Sequence, residues 1–173
     1  MIGSKMMSKP PITASCRCGS VKFEATGKSI MSVVCYCDDC QEGARKIEML
    51  PDALPVPDPD GGTAYLLYRK DRFGCIKGDQ LLKGVRIREH SPTRRVVARC
   101  CNSAMFLDFE KGHWLSVYRA RFTDDTPPVE MRIQTRFKPK DADIPNDAPA
   151  YPAFPLKFMV KLMSARIAML LHR

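Results

Sequence analysis

Polar and apolar side chains alternate from Ser20 to Ala25 and the run closes at Gly27, the pattern of a half-buried strand. Ile30 to Val34 gives a second apolar run, which leads straight into Cys35-Tyr36-Cys37-Asp38-Asp39-Cys40. Gln41 to Leu50 predicts a short helix, stopped by Pro51. Residues 51–62 carry four prolines and end in Gly61-Gly62, so they predict a loop. Strands follow at short intervals: Ala64 to Tyr68, Gly74 to Gly78, Leu81 to Arg88, Arg95 to Arg99, Met105 to Phe109, Trp114 to Tyr118 and Glu130 to Phe137. Strands in series, separated by turn residues, predict an antiparallel, mainly β protein.

The flanks differ from this body. Residues 1–13, with Pro10-Pro11 and no periodicity, predict a flexible N-terminal arm, and residues 14–137 the β domain. Residues 138–155 hold five prolines and predict an extended linker. Residues 156–173 predict an amphipathic C-terminal helix, with Lys157, Lys161, Ser164 and His172 on one stripe and Arg166 nearly opposite. Such a helix docks on its own domain, pairs with a second subunit in a homodimer, or lies on a membrane surface.

Composition narrows the classes. At 173 residues and 45% hydrophobic content the chain can bury one core, and disorder is excluded as its main state. The net charge of +9 favours anionic partners. No apolar run reaches the ~18 residues of a membrane span, and the N-terminus shows no secretory signal, so a soluble protein of the reducing cytoplasm is expected.

Eight cysteines stand out, seven of them in three tight clusters: Cys16 and Cys18; Cys35, Cys37 and Cys40; Cys100 and Cys101. In a reducing compartment clustered thiols point to metal, and zinc takes thiolates offered in pairs by tight turns. Cys35-x-Cys37-x-x-Cys40 can fill three corners of a tetrahedron and leave the fourth to another side chain, water or substrate, which is the mark of a catalytic zinc. Cys75 lies inside a predicted strand and reads as a core residue. His90, His113 and His172 have no ligand-like spacing, and Trp114 reads as core or sheet-edge packing.

Cys16-Arg17-Cys18-Gly19-Ser20-Val21-Lys22-Phe23, then Cys35-Tyr36-Cys37-Asp38-Asp39-Cys40-Gln41, then a late cysteine motif after Arg95, resemble the family of the glutathione-dependent formaldehyde-activating enzyme and centromere protein V, over roughly residues 14–120. The CYCDDCQ and CCNS segments, with Gly61-Gly62-Thr63 and Ile76-Lys77-Gly78 between them, look like a bacterial branch rather than the founding enzyme. The resemblance implies a β-tent fold of antiparallel sheets and two zinc sites, so one or two zinc ions per chain are expected. Cys35, Cys37 and Cys40 match the catalytic ligands, and Cys16 and Cys18 half of the structural set. The family's late C-x-x-C stands here as Ala98-Arg99-Cys100-Cys101-Asn102-Ser103: Cys101 takes the second place, and Cys100 either substitutes for the first or completes the site of Cys35, Cys37 and Cys40. Tyr36 and Gln41 stand where the family often has His and Arg.

The resemblance further implies a carbon–sulfur lyase acting on an adduct of a small thiol, such as a glutathione conjugate, with a carbonyl compound. In that chemistry Asp38 or Asp39 would move the hydroxyl proton, and Arg45, Lys46 or Arg99 would hold substrate carboxylates. The alternative is a non-catalytic zinc module that binds an anionic macromolecule through Arg86, Arg88, Arg94, Arg95, Arg99, Arg119, Arg121, Arg132 and Arg136. No base-reading motif accompanies them, which argues against nucleic acid as the partner.

Overall fold

A computed structural model describes residues 10–123 and 125–171. Ten strands and two α-helices follow in the order β1 (Ile12–Ser15), β2 (Lys22–Ala25), β3 (Met31–Cys35), α1 (Asp38–Glu48), β4 (Thr63–Arg69), β5 (Phe73–Lys77), β6 (Leu82–Val85), β7 (Thr93–Ala98), β8 (Ser103–Phe109), β9 (Trp114–Tyr118), β10 (Met131–Ile133) and α2 (Leu156–Leu171). The mainly β class read from the alternation is therefore observed, with a helix at the C-terminal end. Two boundaries move. Strand β1 starts at Ile12, inside the expected arm, because Ile12 to Ser15 find partners in β2. Helix α1 starts at Asp38, ahead of the expected Gln41, because Cys37 occupies its N-cap position. Residues 1–9 of the arm and His172 of the tail stripe lie outside the described residues.

The strands make two sheets: a small one in the order β1-β2-β5, and a seven-stranded one in the order β10-β3-β4-β9-β8-β7-β6. All pairs are antiparallel except β10 with β3, which run parallel with Ile133 opposite Cys35. The antiparallel arrangement expected of the sheets is thus observed, with one parallel pair at this edge, where the chain returns beside β3 long after leaving it.

Strand β4 shows how the layers form. Side chains on a strand alternate between faces. Leu66 and Tyr68 face the small sheet, in a core with Phe23, Phe73, Met105 and Phe106. Tyr65 and Leu67 face the other way, in a core with Met31, Val33, Cys35, Ile47, Phe158 and Leu162. The first core is held by rings, Phe23 stacking on Phe73 at 4.8 Å between centroids. The second is roofed by the two helices, which puts Cys35 and Cys40 in a layer between sheet and helix.

Cys75 does not belong to either core. It is exposed, on the edge strand β5, where only Phe73 is buried. Helix α2 docks on its own domain: Phe158 and Leu162 are buried, at about 1.5–3 kcal/mol per side chain. His113 Nε2 lies 2.8 Å from the Leu162 carbonyl oxygen, and Lys161 pairs with Glu130. The opposite side of α2 leaves Leu156, Met159, Val160, Met163, Ile167 and Leu170 exposed. The expected linker runs extended but not free, since the Arg132 amide donates to the Pro149 carbonyl and the Tyr151 amide to the Arg132 carbonyl. No helix among the described residues is long and apolar enough to cross a membrane.

Candidate metal centres

The first thiol group is built by two turns. After β1, the Cys16 amide donates to Val21 and the Gly19 amide to Cys16, with Gly19 at φ 73°, a conformation glycine adopts without strain. After β7, Cys100 and Cys101 fill a turn that Asn102 closes at φ 49°. The two turns meet. The Sγ atoms of Cys16, Cys18, Cys100 and Cys101 all lie within 4.8 Å of one another. Neighbouring distances are 3.6 Å for Cys16 and Cys18, 3.8 Å for Cys16 and Cys100, and 3.4 Å for Cys18 and Cys100. Zinc–sulfur bonds of about 2.3 Å at tetrahedral angles put sulfurs about 3.8 Å apart, so the donor set fits zinc. Cys100 thus stands in this group and not with Cys35, Cys37 and Cys40. The left-handed Asn102, a residue type that tolerates that region, is what lets adjacent cysteines reach one point.

Two further contacts tune the thiols. The Val21 amide donates to Cys16 Sγ at 3.3 Å. Contacts from the Ser20 hydroxyl and amide, then from Cys100, lower the Cys18 thiol to about 6. Cys18 therefore favours thiolate, the form a metal takes, while burial and the neighbouring thiols push Cys100 up to about 12.

The second group is Cys35, Cys37 and Cys40, again with all Sγ atoms within 4.8 Å. Cys35 ends β3, Cys37 caps α1 and Cys40 sits in its first turn, where the Cys40 and Gln41 amides both donate to the Cys37 carbonyl. A helix N-terminus favours negative charge. Contacts with Cys35 and Cys40, with Arg95 adding its charge, hold the Cys37 thiol at about 3. The same contact with Cys37 drives Cys35 well up. At Cys40 the lowering contact with Cys35 is outweighed by Cys37 and burial, which push it up to about 12. Three sulfurs at these positions suit three corners of a zinc tetrahedron, and no fourth Cys, His, Asp or Glu joins them among the described residues.

The fourth direction opens on a cleft of about 240 Å³. Cys35, Cys37, Cys40, Asp39 and Arg95 line it together with the apolar Val33, Leu67, Leu107, Phe109, Trp114, Ile133, Phe154 and Phe158 and the hydroxyl-bearing Tyr65, Thr93 and Ser116. Asp38 and Asp39 are both exposed in the first turn of α1, but only Asp39 lines the cleft. The cations expected to hold substrate carboxylates are elsewhere: Arg45 pairs with Glu42, Lys46 donates to the Ile87 carbonyl and Arg99 to the Gln80 carbonyl. The cleft's cation is Arg95, which the sequence reading had placed on a basic face. Its signal was Gly43, a helix-interior glycine with no turn to explain it.

Besides Arg99, five of the nine arginines assigned to a basic face are engaged within the chain. Arg86 pairs with Glu110, Arg94 with Asp108, and Arg132 with Asp60 and Asp147; Arg119 binds Ser32 and the Pro127 carbonyl, and Arg95 is buried. Tyr36 faces away from the thiols. Its hydroxyl donates to Asp60 at 2.6 Å and accepts from Arg132 at 2.6 Å, and burial with the Asp60 contact pushes its ionisation up. Gln41 donates to the carbonyls of Tyr36 and Phe137, which ties the start of α1 to the segment after β10.

Sheets, helix roof and paired thiol groups together define a small mainly β protein with two candidate zinc centres, one enclosed by four cysteines and one open. Residues 11–49, a segment that holds Cys16, Cys18, Cys35, Cys37 and Cys40, match the model of the family described as glutathione-dependent formaldehyde-activating enzyme. No curated protein matches the chain. A crystal structure of a Rhodobacter sphaeroides protein, a structural-genomics target, is similar over 66% of this chain and 91% of that one, at 14% identity and a TM-score of 0.47.

Proposed function

We propose that this protein is a zinc-dependent carbon–sulfur lyase acting on the adduct of a small thiol, such as glutathione, with a carbonyl compound. The observation that carries the reading is the three-thiol group of Cys35, Cys37 and Cys40, open on its fourth side to a cleft. Bound there, zinc supplies a Lewis acid with a position open to a sulfur ligand. The four-thiol group would hold a second zinc that stabilises the fold.

The chain's own residues do the rest. The apolar walls exclude water from the carbonyl part of the adduct. Asp39 at the rim accepts the hydroxyl proton as the carbon–oxygen double bond forms; the carbon–sulfur bond breaks, and its electron pair leaves on sulfur as thiolate. Arg95, which donates to the Asp39 carbonyl, fixes the first turn of α1 against the sheet. The alternative of a non-catalytic module with a basic binding face has less support, because most of its arginines are dispersed in ion pairs and backbone contacts.

The test is exchange of a glutathione–aldehyde adduct, followed by NMR on zinc-loaded protein. Saturable acceleration is expected, lost in Cys37→Ser and reduced in Asp39→Asn but not in Asp38→Asn. No acceleration by fully loaded, folded protein with any of a series of aldehydes overturns the reading.

A further inference from the structure

Arg95 is 2% exposed, and no carboxylate partners it. Nη2 donates to the Asp39 carbonyl, while Nε and Nη1 have no hydrogen-bond partner among the described residues. Buried polar groups almost always have partners, and an unpaired charged one is costly. The side chain lines the cleft, next to Cys37 and Asp39. The rest of the lining is mostly hydrocarbon and ring, with Trp114 against Phe109 at 5.9 Å between centroids and Phe158 against Phe154 at 5.0 Å, and its further polar groups are the uncharged Tyr65, Thr93 and Ser116.

We propose that the cleft binds a compact ligand with an aromatic or branched apolar body and one anionic head, the head held by the Arg95 guanidinium. The volume of about 240 Å³ is below the ~300–1,000 Å³ of sites for drug-sized molecules and suits a single ring bearing a carboxylate. Glutathione, with two carboxylates and an ammonium group, does not match a mostly apolar lining whose one cation is Arg95. This inference rests on the lyase reading for one step only: there, the ligand is the carbonyl half of the adduct, an aryl or branched 2-oxo acid rather than formaldehyde, and the thiol half approaches from outside with its sulfur directed to the three cysteines.

Trp114 is the only tryptophan, so its fluorescence reports the cleft without any turnover. Zinc-loaded protein would be titrated with phenylglyoxylate, with acetophenone as the neutral ring and acetate as the bare head. Saturable quenching by phenylglyoxylate, at least about tenfold tighter than by either control, is the expected result. Arg95→Met should lose about that factor for phenylglyoxylate and leave acetophenone unchanged. The wild-type ligand series stands even if that variant does not fold. Quenching that does not saturate, or equal binding of phenylglyoxylate and acetophenone, overturns the inference. Binding with no lyase turnover overturns the activity alone, and turnover with no anion preference overturns the subsite alone.

Discussion

Gly43 and Arg95 occupy one space: a Cβ built on Gly43 would overlap Nε, Cδ and Cζ of the Arg95 side chain, which crosses beneath α1 to reach the Asp39 carbonyl. Helix and sheet approach each other here only because the helix has no side chain at that position. Glycine in a helix interior normally costs about 1 kcal/mol relative to alanine. Its presence at a buried turn of α1 is accounted for by the guanidinium it admits.

Gly43→Ala is therefore expected to reverse the usual sign. Instead of gaining from helix propensity, the variant should lose about 1–3 kcal/mol through overpacking, measured by urea denaturation. A variant as stable as the wild type would show that Arg95 has room to move aside.

The two thiol groups should respond differently to loss of one ligand. Cys37→Ser is expected to lower zinc content from about two ions per chain to about one, with the circular dichroism spectrum retained. Cys16→Ser, which opens the four-thiol group tying β1 to the turn after β7, should also lower the melting temperature. Elemental analysis beside thermal melts decides; unfolding of Cys37→Ser would make the open group structural as well.

The buried network of Tyr36, Asp60 and Arg132 ties β10 to the loop before β4. The side chains of Arg132 and Asp60 are 6% and 9% exposed. Arg132→Met leaves a buried carboxylate without its cation and should cost about 3–5 kcal/mol. Tyr36→Phe removes one hydroxyl from the same network and should cost about 1–3 kcal/mol. Denaturant midpoints of the two variants, set against the double variant, check both values and their coupling.

Acid should weaken the protein in two windows. Burial holds His113 below its ordinary value of 6.5, against the Leu162 carbonyl that raises it, and with Arg166, Arg69 and Lys70 lowering it further. The unfolded chain then takes up the proton first, so this contribution is whole above about 6.5 and falls as pH drops through that value. Asp108 is also depressed: burial raises it, but Lys70 and Arg94 overcome burial. Its contribution is whole above the ordinary carboxylate value and is lost only as pH falls through its lower folded one. Stability against pH should show a first loss near neutrality, absent in His113→Gln, and a second in strong acid, reduced in Asp108→Asn.

How much of this was legible in the sequence follows from the range of each interaction. Alternation placed β2, and apolar runs separated by turn residues placed β3, β4 and β7 to β9, because each of these strands buries side chains against a layer of the fold. Ligand spacing identified both thiol groups because each is set within one or two turns. Cys100 was left between two sites because its place depends on how two distant turns meet. The parallel pairing of β10 with β3 has no local signal. Cys75 looked buried because an apolar strand sequence does not say whether a second layer covers it. Arg95 was grouped with surface arginines because strand alternation marks a face but not the helix that crosses over it. Only the unexplained glycine of α1 pointed there.

The order in which the chain is made gives the parallel edge a further meaning. Cys35, Cys37 and Cys40 leave the ribosome long before β10 closes the sheet beside Cys35, and before Phe154 and Phe158 supply the cleft's last wall. Non-local pairing of this kind is slow to form. Throughout that interval three nucleophilic sulfurs are uncovered, open to metal capture and equally to oxidation. The nascent protein holds its reactive chemistry first and its shelter last, and an early zinc ion would act as a protecting group until the shelter arrives.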